Sequence, residues 1–132
     1  MTTMTDVWPA RLEEFWSWHA DAACREADSS LFYSPDGERG PTKERRERAA
    51  KAVCADCAVR QLCASFALAN REPYGTWGGM SENDRRELWR RVKPREALRA
   101  YREALAAWEA HQLALMEAAV RRRQAACDGA AS

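Results

Sequence analysis

The chain has 132 residues, enough for one domain. A core that small buries a limited share of the chain's surface, so a bound prosthetic centre would carry much of its stability. The formal charge of +1 hides an asymmetry: residues 1–84 carry ten Lys or Arg against fourteen Asp or Glu, and residues 85–132 carry eleven against six. No stretch is long and apolar enough to cross a membrane, and the first twenty residues hold Asp6, Arg11, Glu13 and Glu14 where a secretory signal would be apolar. This predicts a cytoplasmic chain whose thiols stay reduced.

Residues 10–24 predict a first helix, with Leu12, Phe15, Trp16 and Trp18 close together. Ser34-Pro35-Asp36-Gly37 and Arg39-Gly40-Pro41 enclose an irregular loop. A second helix is predicted from about Thr42 to Cys57, its charged start giving way to Ala49, Ala50, Val53, Cys54 and Cys57, the last two one turn apart on one face. Cys63, six residues further on, would point around the cylinder of an unbroken helix, so a break near Ala58 is required. A third helix, from about Val59 to Asn70, turns Leu62, Cys63, Phe66 and Ala67 inward.

Pro73-Tyr74-Gly75-Thr76-Trp77-Gly78-Gly79 cannot continue that helix and places Trp77 at the apex of a turn. Ser81 to Asp84 reads as a capping box opening a helix that carries Leu88, Trp89 and several arginines and stops at Pro94. From Arg95 to about Ala126 the pattern is helical again, with Leu98, Tyr101, Leu105, Trp108 and Leu115 on one face and Gln112 as a polar interruption. Such a helix, roughly 45 Å long, exceeds what the core can cover. It must fold back, find a partner or fray, and self-association through a short coiled coil is one outcome. The predicted architecture is all-α, a small bundle of short helices around a metal centre with a C-terminal helical extension.

The cysteines define that centre. Cys54-Ala55-Asp56-Cys57, then Cys63, then the distant Cys24 form a three-plus-one set of soft ligands. Structural zinc ordinarily uses two close pairs, so the spacing favours a cubane iron-sulfur cluster, with zinc as the alternative. Cys127 is left over. The basic run Arg85, Arg86, Arg90, Arg91, Lys93, Arg95, Arg99 and Arg102 reads either as a nucleic-acid contact or as a solvated helix face. His19 and His111 are expected at the surface, because four cysteines leave no ligand vacancy.

Over roughly residues 14–91 the chain resembles the WhiB-like iron-sulfur transcription factors of actinobacteria and their phages. The resemblance rests on Trp18 six before Cys24, Asp28-Ser29-Ser30-Leu31-Phe32, Pro35 to Gly40, Lys51-Ala52-Val53-Cys54, Cys57, Cys63 and Glu72 to Gly79. The Asp-Ser-Ser-Leu-Phe and Glu-Pro-Tyr-Gly stretches look most like the WhiD branch. The resemblance implies a [4Fe-4S] cluster on Cys24, Cys54, Cys57 and Cys63, with nitric oxide or oxygen attack on it as the signal and disulfides in the cluster-free form. It also implies docking to region 4 of the primary sigma factor, for which Trp18, Phe32, Gly75, Trp77, Gly78 and Gly79 are the candidates. Promoter DNA contact through Arg85, Arg86, Arg90, Arg91, Lys93 and Arg95 completes the expectation.

On this reading residues 1–93 form the iron-sulfur domain and 94–132 an extension outside the family core. Ala58 stands where the family commonly has proline, and Thr76 where it has Val or Ile. A thiol-disulfide reductase using Cys54 and Cys57 is the enzymatic alternative, and a zinc-stapled DNA-binding module the structural one. No phosphate loop, Ser-His-Asp set or paired catalytic carboxylates supports hydrolase or kinase chemistry.

Overall fold

Helices make up all the regular structure among residues 17–131, the part described by the computed structural model, apart from one isolated antiparallel bridge between Trp77 and Met80. Four α-helices follow two short 3₁₀ turns, Ala23–Glu26 and Ser29–Leu31. We label them α1 (Gly40–Ala55), α2 (Arg60–Ala69), α3 (Glu82–Arg91) and α4 (Pro94–Ala131).

Of the first predicted helix only Ser17–His19 is seen as helical; the remainder before it lies outside the described residues. The chain leaves the helix at Ala20, and Cys24 sits in the 3₁₀ turn instead of on a continuous helix. Helix α1 begins two residues earlier than predicted, with Pro41 in its first turn, where a missing N–H costs nothing. It also ends earlier, at Ala55, so Cys57 lies beyond it and does not share its face with Cys54. The Cys57 amide bonds back to the Cys54 carbonyl and the Arg60 amide to the Cys57 carbonyl, a pair of tight turns that reverses the chain into α2.

The main core lies between α2 and the first half of α4. Leu62, Phe66 and Ala69 on α2 face Ala97, Tyr101 and Leu105 on α4, all of them buried. Trp18 fills the space between them. Its indole is fully buried, lies edge-on to Phe66 with centroids 5.6 Å apart, and donates a hydrogen bond of 3.1 Å to the Tyr101 hydroxyl. Phe32, Ala50 and Cys54 form a second, smaller cluster under the first half of the chain.

The capping box is present as predicted: Ser81 Oγ accepts from the Asp84 amide at 3.2 Å, and Asp84 Oδ2 accepts from the Ser81 amide at 2.9 Å. Lys51 of α1 reaches the same carboxylate at 2.8 Å and so ties α1 to α3. Helix α4 is 38 residues long, about 57 Å, and runs further than the predicted end near Ala126. Its first four turns are integral to the main core through Ala97, Tyr101 and Leu105, with Trp108 packed at the margin. Beyond them Leu113, Leu115, Met116 and Val120 are each at least half exposed.

Candidate metal centre

Four separate pieces of chain deliver the four cysteines: the first 3₁₀ turn brings Cys24, the last turn of α1 brings Cys54, the reversal before α2 brings Cys57, and the first turn of α2 brings Cys63. They pack against one another's clusters, with Cys24 touching both cores. All are free thiols, as is the exposed Cys127 far away on α4. Burial first, then the neighbouring sulfurs of Cys57 and Cys54, pushes the Cys24 thiol up from its ordinary range. Burial pushes Cys63 well above it, with Cys54, Cys24 and Cys57 adding to the effect. Burial likewise pushes the Cys54 thiol up, with the Cys57 sulfur adding to the effect.

Peptide N–H groups converge on this region. The Ala23 amide donates to Cys57 Sγ at 3.4 Å. The Gly78 and Gly79 amides face the Cys54 sulfur, and Gly78 faces Cys63 as well, each partly offsetting the effect of burial. Among the described residues no three His, Cys, Asp or Glu side chains are grouped to hold a single metal ion. The donor set of four thiols with amides turned toward their sulfurs fits an iron-sulfur cluster, whose potential such amides tune. A cavity of about 200 Å³ adjoins Cys24 and Cys63, walled by His19, Arg25, Phe32, Tyr33 and Trp77 among others. His19 is half-buried beside the centre, less exposed than expected, and burial, then the Arg25 charge, lowers its pKa. His111 is exposed, as expected.

The glycine-tryptophan turn closes the centre from the α2 side. Gly78 has a φ of +57°, and a Cβ there would stand 2.4 Å from the Ala64 backbone nitrogen, so only glycine lets the turn lie flat on α2 next to Cys63. The Trp77 ring stacks on Phe66 with centroids 5.7 Å apart, and its indole N–H donates to the Tyr74 carbonyl at 3.0 Å. Trp77 stays partly exposed, flanked by Tyr74 and Tyr33, which are 71% and 49% exposed. Those two tyrosines complete an aromatic surface that sequence reasoning missed. The signal available for Tyr74 was its place in a turn too short to bury it.

Five candidate contact residues are placed differently from expectation: Gly75 and Gly78 are buried in the turn, Gly78 against Ala64 of α2, so neither offers a surface to a partner. Trp18 and Phe32 are core residues, 0% and 6% exposed, and offer no surface to a partner. Arg85, expected at DNA, is 0% exposed. Its guanidinium donates to the Glu72, Met80 and Tyr74 carbonyls at 2.9, 3.0 and 3.1 Å, so its donors are used inside the protein and no phosphate can reach them. The other basic candidates, Arg86, Arg90, Arg91, Lys93 and Arg95, are exposed, as are Arg99 and Arg102 further along. Arg86 and Arg90 each keep a loose local ion pair on α3, with Glu82 four residues back at 3.8 Å and Glu87 three residues back at 3.6 Å.

A helical scaffold that gathers four cysteines under a glycine-tryptophan turn defines a class, and comparison with known proteins places the chain in it. The sequence profile described as Transcription factor WhiB matches residues 18–88, and the chain belongs to that family. It is similar to the transcriptional regulator WhiD of Streptomyces coelicolor, 52% identical over 87 residues that cover 66% of this chain and 78% of the relative. The redox-responsive transcriptional regulator WhiB3 of Mycolicibacterium smegmatis is 46% identical over 89 residues, covering 67% and 93%. The redox- and pH-responsive regulator WhiB3 of Mycobacterium tuberculosis is 47% identical over 77 residues, covering 58% and 76%. The chain is thus a WhiB-family protein of WhiD-like type, and none of its described helices is long and apolar enough to cross a membrane.

Proposed function

We propose that this protein is a redox- and nitric-oxide-responsive regulator in which Cys24, Cys54, Cys57 and Cys63 hold a [4Fe-4S] cluster. When bound, the cluster supplies a centre that oxidants and nitric oxide degrade. The supporting observation is the convergence of four cysteines, from four separate pieces of chain, beneath a turn whose Gly78 and Gly79 amides face two of their sulfurs. The surface of Trp77, Tyr74 and Tyr33 beside that turn suits region 4 of the primary sigma factor, since partly exposed aromatics on a rigid apex are the usual anchors of protein interfaces. Arg86, Arg90, Arg91, Lys93 and Arg95 give promoter DNA an exposed basic surface on the adjoining α3 and α4.

The exposed apolar positions Leu113, Met116 and Val120 at three- and four-residue spacing on α4 support pairing with a second copy. Thiol-disulfide reductase activity fits less well. A nucleophilic thiolate needs exposure and a helix N-terminus, whereas Cys54 is 7% exposed in the last turn of α1.

Anaerobic purification followed by iron, zinc and acid-labile sulfide assays and Mössbauer spectroscopy tests the proposal. Four iron and four sulfide per chain are expected. A colourless protein carrying zinc overturns it.

A further inference from the structure

Buried arginine is costly unless its nitrogens find acceptors, and each of the three guanidinium nitrogens of Arg85 donates one hydrogen bond to a backbone carbonyl. Its three bonds go to carbonyls on both sides of one turn: Glu72 and Tyr74 precede the glycine-tryptophan segment and Met80 follows it. A planar fork that grips both ends of a loop fixes its width and tilt. The adjoining anchors act on the same piece of chain. Glu82 accepts from the Gly75 amide at 3.0 Å, and the Thr76 amide donates to the Phe32 carbonyl at 2.7 Å.

The turn so held has two working faces. On one, Gly78 lies flat against the Ala64 backbone, the residue after Cys63, with no room to shift inward, which holds the Gly78 amide by Cys63 and Cys54 and the Gly79 amide by Cys54. On the other, Trp77 and Tyr74 reach the surface. We propose that Arg85 is a positioning residue for both faces, setting the amides that tune the bound cluster and the aromatic surface that meets the partner through one rigid element. The inference rests on the cluster reading above. It assigns to Arg85 neither DNA contact nor bulk core packing but the coupling of the metal centre to the docking surface.

N–H groups directed at cluster or cysteine sulfur stabilise the more negative, reduced state, so slackening the turn lowers the reduction potential. The test compares Arg85→Lys, which keeps the charge but loses the fork, with Arg86→Ala on the exposed side of α3. In holoprotein prepared anaerobically, Arg85→Lys should retain four iron. Amide hydrogen exchange at Gly78 and Gly79 should quicken about tenfold or more, since opening of the turn sets it. The potential should fall, and affinity for sigma factor region 4 should weaken about tenfold, as expected when a hot-spot aromatic loses its support. Arg86→Ala should change neither exchange nor potential.

An Arg85→Lys protein that melts earlier yet keeps its exchange rates and potential reduces Arg85 to ordinary packing and overturns the proposal. If that variant does not fold, Glu82→Ala, which frees the Gly75 end and otherwise loses the exposed Arg86 ion pair that Arg86→Ala controls for, must show the same paired shift in smaller size, and unchanged exchange and potential there overturn it equally. Absence of sigma binding by the unaltered protein counts against the partner assignment, while exchange and potential still decide the role of Arg85.

Discussion

The two ends of helix α4 share a composition and differ in nearly everything else. In the first half, Ala97, Tyr101 and Leu105 are buried against α2 and Trp18; in the second, Leu113, Leu115, Met116 and Val120 are exposed and the helix stands on its own backbone bonds. The first half is specified by partners far away in sequence, the second by local helix propensity alone. The contrast extends to the rest of the molecule. Around the cysteines nearly every element is held by a named long-range contact, so single substitutions should be felt strongly there and weakly along the distal helix.

Replacement of the cysteines gives the largest expected effect. Serine or alanine at Cys24, Cys54, Cys57 or Cys63 should abolish iron retention and lower helicity, because binding and folding are coupled in small metal-dependent domains. Cys127→Ser, on the exposed distal helix, should change neither. Loss of iron from the Cys127 variant while one of the four retains it would break the contrast at its root.

Trp77→Ala should come next, weakening the complex with sigma factor region 4 by about 2 kcal/mol or more while the visible spectrum of the centre stays nearly intact. Isothermal titration read beside absorbance separates the two. A lost spectrum would return Trp77 to the core.

Tyr101→Phe sharpens the division within α4. It removes the hydroxyl that accepts from the buried Trp18 indole N–H and should cost about 1 kcal/mol in urea unfolding, whereas Leu113→Ala, in the exposed half, should stay within about 0.5 kcal/mol. Equal losses at both positions would mean that the distal half is covered in solution.

The smallest effect is expected on DNA. Replacing Arg90, Arg91 and Lys93 together by Ala should reduce promoter binding and flatten its salt dependence, by about 0.9 in log K per decade of salt for each phosphate contact removed. Far-ultraviolet dichroism and the sigma complex should be unaltered. An unchanged salt slope would make these exposed residues a solvated face.

Local rules carried the sequence reading a long way. The Ser81–Asp84 box, the reversal near Ala58, the stop at Pro94 and the extension beyond it are all consequences of residues a few positions apart, and the structure shows each of them. Depth was the quantity that sequence could not supply. Arg85 lies in the same run as Arg86 and Arg90, and nothing in the pattern of charge says that its side chain points inward to three carbonyls provided by a loop 5 to 13 residues back. Trp18 was read as a surface contact because its partner, Tyr101, lies 83 residues away. The helix predicted through Cys24 failed for a related reason. Ala20 to Ala22 have helical propensity, but the chain turns there so that the Ala23 amide meets Cys57 Sγ, a tertiary demand invisible to periodicity.

The length of α4 bears on how self-association must be measured. Roughly twenty residues past Trp108 add about 30 Å of bare rod to a small body, so hydrodynamic drag rises far faster than mass. A single chain of 15.0 kDa with such an arm elutes early from a sizing column and tumbles anisotropically, imitating a dimer by either criterion. Only methods that weigh the particle, light scattering or sedimentation equilibrium, distinguish one long molecule from two.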